Sequence, residues 1–117
     1  MKYVSVMSLR RAIVGGGLAL GLLAAAGPLF AEAAPRDHVV NMANMSFGQL
    51  PSDLKVGDSI TWVNNDTVQH TVTARDHSFD LRMGPGQSAH LTLQKSGTFP
   101  FYCSYHSTMR GVLVVAK

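Results

Sequence analysis

Three residues near the C-terminus have side chains that could bind a metal, and they are evenly spaced. They are Cys103, His106 and Met109, in the arrangement Cys-x2-His-x2-Met. A thiolate, an imidazole and a thioether, completed by a second imidazole, are the donors of a mononuclear copper site that transfers single electrons. The 117-residue chain has one cysteine, which excludes a disulfide within the chain and favours a metal ligand. The spacing therefore predicts a metal centre.

The fourth ligand must come from elsewhere, because the Cys-x2-His-x2-Met segment is too short to surround an ion. The candidates are His38, His70, His77 and His90. His90 alternates with apolar residues and should point outward, and His38 lies near the expected start of the mature chain. We favour His70, which begins a run rich in Thr and Val, over His77, which lies in a polar loop. His77 remains the alternative.

The methionine favours copper over zinc, because structural zinc sites use Cys and His ligands and a thioether is a poor ligand for zinc. We therefore expect one copper ion, cycling between Cu(I) and Cu(II). Met42 and Met45 could suggest a second copper site. On a continuous strand, however, Met45 and Phe47 would share one face, which favours a place in the core.

Residues 1–33 are predicted to be a cleaved signal peptide. A basic start is followed by an apolar stretch interrupted by glycines, and Ala31-Glu32-Ala33 fits the small-x-small cleavage rule. The Arg10-Arg11 pair is also compatible with a twin-arginine signal. An uncleaved membrane anchor is the competing interpretation, since the stretch is nearly long enough to span a bilayer. We favour cleavage, export to a bacterial periplasm and no stable membrane insertion afterwards.

Residues 34–117 form the predicted mature domain. The whole chain has a formal net charge of +3, most of which belongs to the leader. The remainder carries seven basic and six acidic side chains, so its charge gives no support for nucleic-acid binding. A single domain of this size has a thin core, and a metal would help to stabilise it. We expect a monomer.

The pattern of this domain is β throughout. In Ser88–Gln94 apolar and polar residues alternate, which predicts a half-buried strand. Further runs rich in β-branched and aromatic residues cover 39–47, 59–64, 70–74, 99–103 and 111–116. Turn-forming Gly, Asn and Pro residues separate these runs, and there is no extended helical period. Short strands at this spacing predict an all-β sandwich or barrel.

The chain resembles the cupredoxins, the type 1 blue-copper family, and most closely their small periplasmic amicyanin-like and plastocyanin-like members. The resemblance is carried by Val56–Asn64, by His70 and by Gly97–Gly111, with a ligand loop as short as that of amicyanin. It implies a Greek-key β-sandwich or barrel of the cupredoxin type, with about seven to eight strands. The ligands that it implies are His70, Cys103 and His106 as strong donors and Met109 as the long axial one.

The sequence departs from the amicyanin pattern beside two of these ligands. Tyr105 and Ser107 stand where amicyanin usually has prolines, and Thr71 replaces the asparagine that often follows the first histidine. Such positions orient ligands and tune the metal. The reduction potential of the family and the partner of amicyanin therefore do not carry over to this chain.

The resemblance implies an electron carrier between redox proteins such as a dehydrogenase, a reductase or a cytochrome. His106 would be the exposed route for the electron, with Met83, Pro85, Ser107 and Thr108 as a docking rim. Arg110 could steer an acidic partner. The alternative is a periplasmic copper-binding or delivery protein that uses the same ligands. We do not expect an enzyme, because four protein ligands leave no open coordination position.

Overall fold

Nine strands form two sheets in the computed structural model, which describes Gly27 and residues 33–117. The strands are β1 (Asp37–Ala43), β2 (Ser46–Phe47), β3 (Leu54–Lys55), β4 (Ser59–Asn64), β5 (His70–Ala74), β6 (Asp80–Met83), β7 (Ser88–Thr92), β8 (Gly97–Cys103) and β9 (His106–Ala116). Ala34–Lys117 form one compact unit. The predicted leader lies almost wholly outside the described residues. Within the described part of the chain, no helix has the length and hydrophobicity needed to cross a bilayer.

The two sheets have the strand orders β2-β1-β4-β7 and β3-β9-β8-β5-β6. The β1–β4 and β3–β9 pairs are parallel, and the other pairs are antiparallel. The chain passes repeatedly from one sheet to the other, and buried apolar residues of both sheets form one core. The predicted all-β sandwich is confirmed, with nine strands rather than seven or eight. The short strand β3 and the edge strand β6 have no clear signal in the sequence pattern and were not predicted.

Aromatic rings fill the centre of the sandwich. Trp62 of β4 and Phe101 of β8 are fully buried, and their ring centroids lie 5.4 Å apart in an edge-to-face arrangement. Phe47 completes the cluster, 4.9 Å from the ring of Phe101. Truncating a buried ring of this kind to alanine costs about 3–5 kcal/mol of stability. Phe47 and Trp62 belong to one sheet and Phe101 to the other, so the cluster joins the two sheets.

The segment predicted as one strand from 39 to 47 is a β-hairpin. Asn44 and Met45 form its turn, with φ values of 54° and 59°. Two successive left-handed residues are typical of a type I′ turn, whose twist matches that of the flanking strands. The prediction that Met45 belongs to the core is therefore wrong: its exposure is 42%, whereas Met42 is fully buried. The two thioethers do not share one environment, which argues against a second copper site.

Candidate metal centre

Three of the predicted ligands meet at one end of the sandwich. The Sγ atom of Cys103 lies 3.8 Å from Nδ1 of His70 and 3.5 Å from Nδ1 of His106. The three donor atoms all lie within 4.8 Å of one another. The thiol and the His70 ring are buried, whereas His106 is half-buried. One ion could therefore contact all three donors while only one ligand reaches the surface.

A tight hairpin between β8 and β9 sets the positions of Cys103 and His106. Cys103 ends β8 and His106 begins β9, and the two residues pair across the hairpin. The sequence pattern predicts that this last strand starts at 111, but it begins five residues earlier, at His106. The next pair is Tyr102 with Arg110, so residues 107–109 have no partner on β8. The bulge ends at the fourth predicted ligand, Met109, which is buried in the same core cluster as Cys103.

The ring of His70 is oriented by a carboxylate. Nε2 of His70 lies 2.7 Å from Oδ2 of Asp66. Because the carboxylate accepts, Nε2 carries the hydrogen and donates a hydrogen bond to it. Nδ1, which faces the thiol, is then left with its lone pair free for a metal. The Asp66 carboxylate also accepts hydrogen bonds from the backbone N–H groups of Asn44 and Met45, at the turn between β1 and β2. The pKa of Asp66 is lowered, first by the bond from His70 and next by these backbone bonds.

The thiol is tied to strand β5 through Thr71. The backbone N–H of Thr71 donates to Sγ of Cys103 at 3.3 Å, and its Oγ1 accepts from the backbone N–H of Ser104 at 2.7 Å. The Thr71 hydroxyl also contacts that of Thr73, which donates to Asp80. All the members are within hydrogen-bonding distance, so this buried network is satisfied. Thr71 thus links the two segments that carry the predicted ligands.

Tyr105 covers one side of His106 at the surface. The tyrosine is 49% exposed, and its ring centroid lies 6.4 Å from that of His106. Its hydroxyl accepts a hydrogen bond from Nη1 of Arg82 at 2.9 Å, which ties the turn between β8 and β9 to β6. A shallow depression of about 260 Å³ lies here, lined by Val68, Gln69, Tyr105 and His106.

The predicted docking rim is wrong in one residue. Met83 ends β6 and is fully buried, so it cannot contact a partner. The other three rim residues are more accessible: Pro85, Ser107 and Thr108 are all exposed. Val68 and Gln69, which precede the His70 strand, were not predicted to line this surface. They reach this surface because the loop between β4 and β5 lies beside the hairpin that carries His106.

The other histidines lie away from the thiol. His77 is in the turn after β5, at the opposite end of that strand from His70, with a φ of 68°. His38 contacts the Asp58 carboxylate at 3.1 Å. His90 is exposed, as its alternation predicted, and contacts Thr61. Of the four candidates, all within the described residues, only His70 joins Cys103 and His106.

The donor chemistry of this cluster fits copper. A soft thiolate and two imidazoles suit both Cu(I) and Cu(II), and a buried thioether nearby in the sequence can serve as a weak fourth donor. Two of these donors are oriented by hydrogen bonds, as is usual for metal ligands: His70 donates to Asp66, and Cys103 accepts from the N–H of Thr71. Asp66 was not predicted, although a carboxylate four residues before a candidate ligand histidine is a usable signal.

Comparison with known proteins identifies the family. The family model described as a cupredoxin-like domain matches residues 17–115. The chain belongs to the cupredoxin-like family. Amicyanin of Paracoccus denitrificans is 34% identical over 91 residues, covering 73% of this chain and 70% of that protein. Chloroplast plastocyanin of Silene latifolia subsp. alba is 27% identical over 117 residues, covering 86% of this chain and 71% of that protein.

Solved structures agree with this assignment. This cupredoxin superposes on an amicyanin variant in its Cu(I) form with a TM-score of 0.58 and 32% identity, covering 74% of this chain and 85% of the other. A reduced amicyanin variant gives a TM-score of 0.59 and 31% identity, covering 72% of this chain and 86% of the other. The predicted resemblance is confirmed. Family membership and the donor cluster together confirm the prediction of a copper cofactor.

Proposed function

We propose that this cupredoxin is a periplasmic carrier of single electrons whose copper ion is held by His70, Cys103, His106 and Met109. The observation that supports this most strongly is the approach of two imidazole Nδ1 atoms to one buried thiol, at 3.8 and 3.5 Å. When bound, copper supplies exchange of one electron between Cu(I) and Cu(II). Similarity to amicyanin and plastocyanin supports a carrier rather than a catalyst.

The residues around the ligands keep their geometry constant. Asp66 fixes the rotation and the tautomer of His70, and the N–H of Thr71 fixes the thiol. Cys103 and His106 are joined by a two-residue turn between paired strands, which leaves little freedom for one to move without the other. Ligands that stay in place in both oxidation states lower the structural change that accompanies each electron transfer. This rigidity suits a carrier.

Burial divides the site into a protected interior and one accessible edge. Cys103, His70 and Met109 are at most 1% exposed, so water is excluded from these ligands. His106 is half-buried and lines the surface depression beside Tyr105. A redox protein that docks over this depression would lie against the ligand nearest the surface. We infer that His106 is the route for the electron, with a dehydrogenase, a reductase or a cytochrome as partner.

Copper delivery is the competing function, and it makes different demands on the site. A delivery protein must release its ion to another protein, whereas the buried thiol and the Asp66-anchored His70 favour retention. The electron self-exchange rate separates the two functions. Fast exchange with copper retained is the result expected of a carrier. Slow exchange together with ready transfer of Cu(I) to an acceptor protein would favour delivery.

Copper titration of the purified protein tests the ligand assignment. We expect one equivalent of Cu(II) to produce an intense blue thiolate charge-transfer band. Cys103→Ser should lack the band while keeping the fold, as judged by the dispersion of its ¹H–¹⁵N spectrum. A colourless Cu(II) complex of the unmodified protein would contradict the proposal.

A further inference from the structure

A carboxylate and an imidazole that the copper centre does not use lie together on the outer face of the four-stranded sheet. Asp37 begins β1 and His90 is the middle residue of β7, and both strands pair with β4. Oδ1 of Asp37 lies 3.7 Å from Nδ1 of His90, and the two side chains are 46% and 58% exposed. Two groups of the kinds that bind metal ions therefore approach each other at the surface.

The strand register explains why these two residues meet. Asp37 pairs with Ser59 of β4, and His90 pairs with Thr61 two residues further along the same strand. Ile60, between the two β4 residues, is fully buried, so Ser59 and Thr61 point to the outer face of the sheet. The side chains of three adjacent strands thus form one polar cluster on this face.

Two hydroxyl groups of β4 fix the position of the carboxylate. Oγ of Ser59 donates to Oδ1 of Asp37 at 2.7 Å, and Oγ1 of Thr61 lies 3.1 Å from both carboxylate oxygens. The pKa of Asp37 is lowered, first by the hydrogen bond from Ser59 and next by that from Thr61. Asp37 is therefore ionised at neutral pH, as a metal ligand must be.

The spacing of Asp37 and His90 suits a shared ion better than a hydrogen bond. Their 3.7 Å separation exceeds hydrogen-bonding distance, whereas the buried pair His38 and Asp58 is in direct contact at 3.1 Å. Zinc lies about 2.0–2.2 Å from nitrogen and oxygen donors, so two donors of one ion lie about 3–4 Å apart. The exposed pair is spaced for an ion between its members.

We propose that Asp37 and His90 form a second metal site, which takes a divalent transition-metal ion such as Zn(II) or Cu(II). We call it the surface metal site. Imidazole is a good ligand for these two ions, and the carboxylate supplies a second, charged donor. The Thr61 hydroxyl, 3.1 Å from Nδ1 of His90 and in contact with the carboxylate, orients both donors. Mg(II) and Ca(II), which prefer oxygen ligands, bind less well here.

The surface metal site differs from the copper centre in how freely it exchanges its ion. Two protein donors leave other coordination positions open to water or to an external ligand. The ion is therefore accessible, whereas the thiol of the copper centre is buried. The two sites share no residue, because His70, Cys103, His106 and Met109 all belong to the five-stranded sheet. The proposal does not rest on the electron-carrier function.

A metal titration monitored by NMR tests the proposal. One equivalent of Cu(I), which is diamagnetic, is first added to ¹⁵N-labelled protein without oxygen, and Zn(II) is then titrated. We expect saturable shifts of the ring nitrogens of His90 and of the amide signals of Asp37 and Thr61. Mg(II) should leave these signals unchanged. Because signals are assigned to residues, zinc at His90 is distinguished from zinc at Cys103, whether or not copper binds as proposed.

Variants matched in composition provide the decisive comparison. Loss of an outer partner of a metal ligand already costs about 10- to 100-fold in affinity, so His90→Gln and Asp37→Asn should each weaken zinc binding at least about tenfold. His77→Gln and Asp76→Asn remove the same groups from the turn after β5 and should leave the affinity unchanged. Calorimetric titration of the copper-loaded variants measures the affinities, and their amide spectra check that each variant is folded.

Three results would overturn the proposal. They are the absence of a saturable shift at His90, an equal loss of zinc affinity in the His77 and Asp76 variants, and shifts with Mg(II) as large as those with Zn(II).

Discussion

The carboxylate of Asp66 accepts a hydrogen bond from Nε2 of His70 at 2.7 Å. The two residues are four positions apart, in the loop before β5 and at its first residue. Because the bond occupies Nε2, the other ring nitrogen is directed at the thiol of Cys103. A surface loop thus determines which ring nitrogen of a buried histidine faces the thiol of Cys103.

Replacing Asp66 by Asn should weaken copper binding. The amide lacks the negative charge that favours an Nε2–H donor, and it can turn its own N–H₂ group towards the ring. Loss of such an outer partner typically lowers metal affinity by about 10- to 100-fold. Competition with a chelator of known affinity measures the effect. Asp76→Asn, at an exposed turn, is the matched control and should leave affinity unchanged.

Separate substitutions of His70 and His77 test the fourth ligand. His70→Ala should abolish the blue band, because it removes a donor 3.8 Å from the thiol. His77→Ala should retain the band, because His77 lies at the other end of β5. The visible spectra of the copper-loaded variants decide between them. Loss of colour in the His77 variant alone would reverse the assignment.

Met109→Leu should separate the role of the thioether in packing from its role at the metal. The side chains have similar volumes, so the cost in stability should be under about 1.5 kcal/mol. Removing a neutral donor disfavours Cu(II) more than Cu(I), so the reduction potential should rise while the blue band persists. Met42→Leu is a control at an equally buried methionine. A rise of the same size in both variants would show that Met109 is not a ligand.

The buried carboxylate of Asp58 makes stability depend on acidic pH. Its pKa is lowered from 3.8 to about 2, first by the backbone N–H of Arg36 and next by the hydrogen bond with His38. A lowered folded-state pKa means that the stabilisation is complete above the ordinary value and is lost as the pH falls from about 3.8 towards 2.

Asp58→Asn should destabilise the fold at neutral pH and reduce this loss on acidification. The two carboxylate oxygens accept from the backbone N–H groups of Arg36 and Lys55, and an amide can match only one of them. Urea denaturation of the metal-free protein at pH 7, 4 and about 2 measures both effects. An unchanged pH dependence in the variant would assign the acid sensitivity to other carboxylates.

The strands that a single sequence predicts well are those whose signals are local. The bounds of Ser59–Asn64 and His70–Ala74 agree with the structure, because alternation or β-branched residues end at clear turn signals. The Asn44–Met45 turn has no glycine, so alternation suggested one continuous strand. The contact that accompanies its left-handed backbone is Asp66, about twenty residues away in the chain. Such a distant partner cannot be inferred from local pattern.

The metal centre likewise combines features that the local sequence indicates with contacts that it does not. Even spacing is enough to propose Cys103, His106 and Met109 as ligands, because one hairpin carries all three. The sequence favours His70 over His77, and the direction of β5 in the sheet is what brings His70 beside the thiol. The roles of Asp66 and Thr71 depend on contacts between segments that are far apart in sequence.

Hydrogen bonds to Asp66 connect the β1–β2 turn at the surface with the ring of His70. Order at this turn should therefore follow order at the metal site. The amide protons of Asn44 and Met45 point at the carboxylate that holds His70. Any event that immobilises the ring should slow the exchange of these two protons with solvent, although they lie on the surface. Hydrogen exchange at one exposed turn would then report ligand ordering without a spectroscopic signal from the metal, even when the ion is colourless Cu(I).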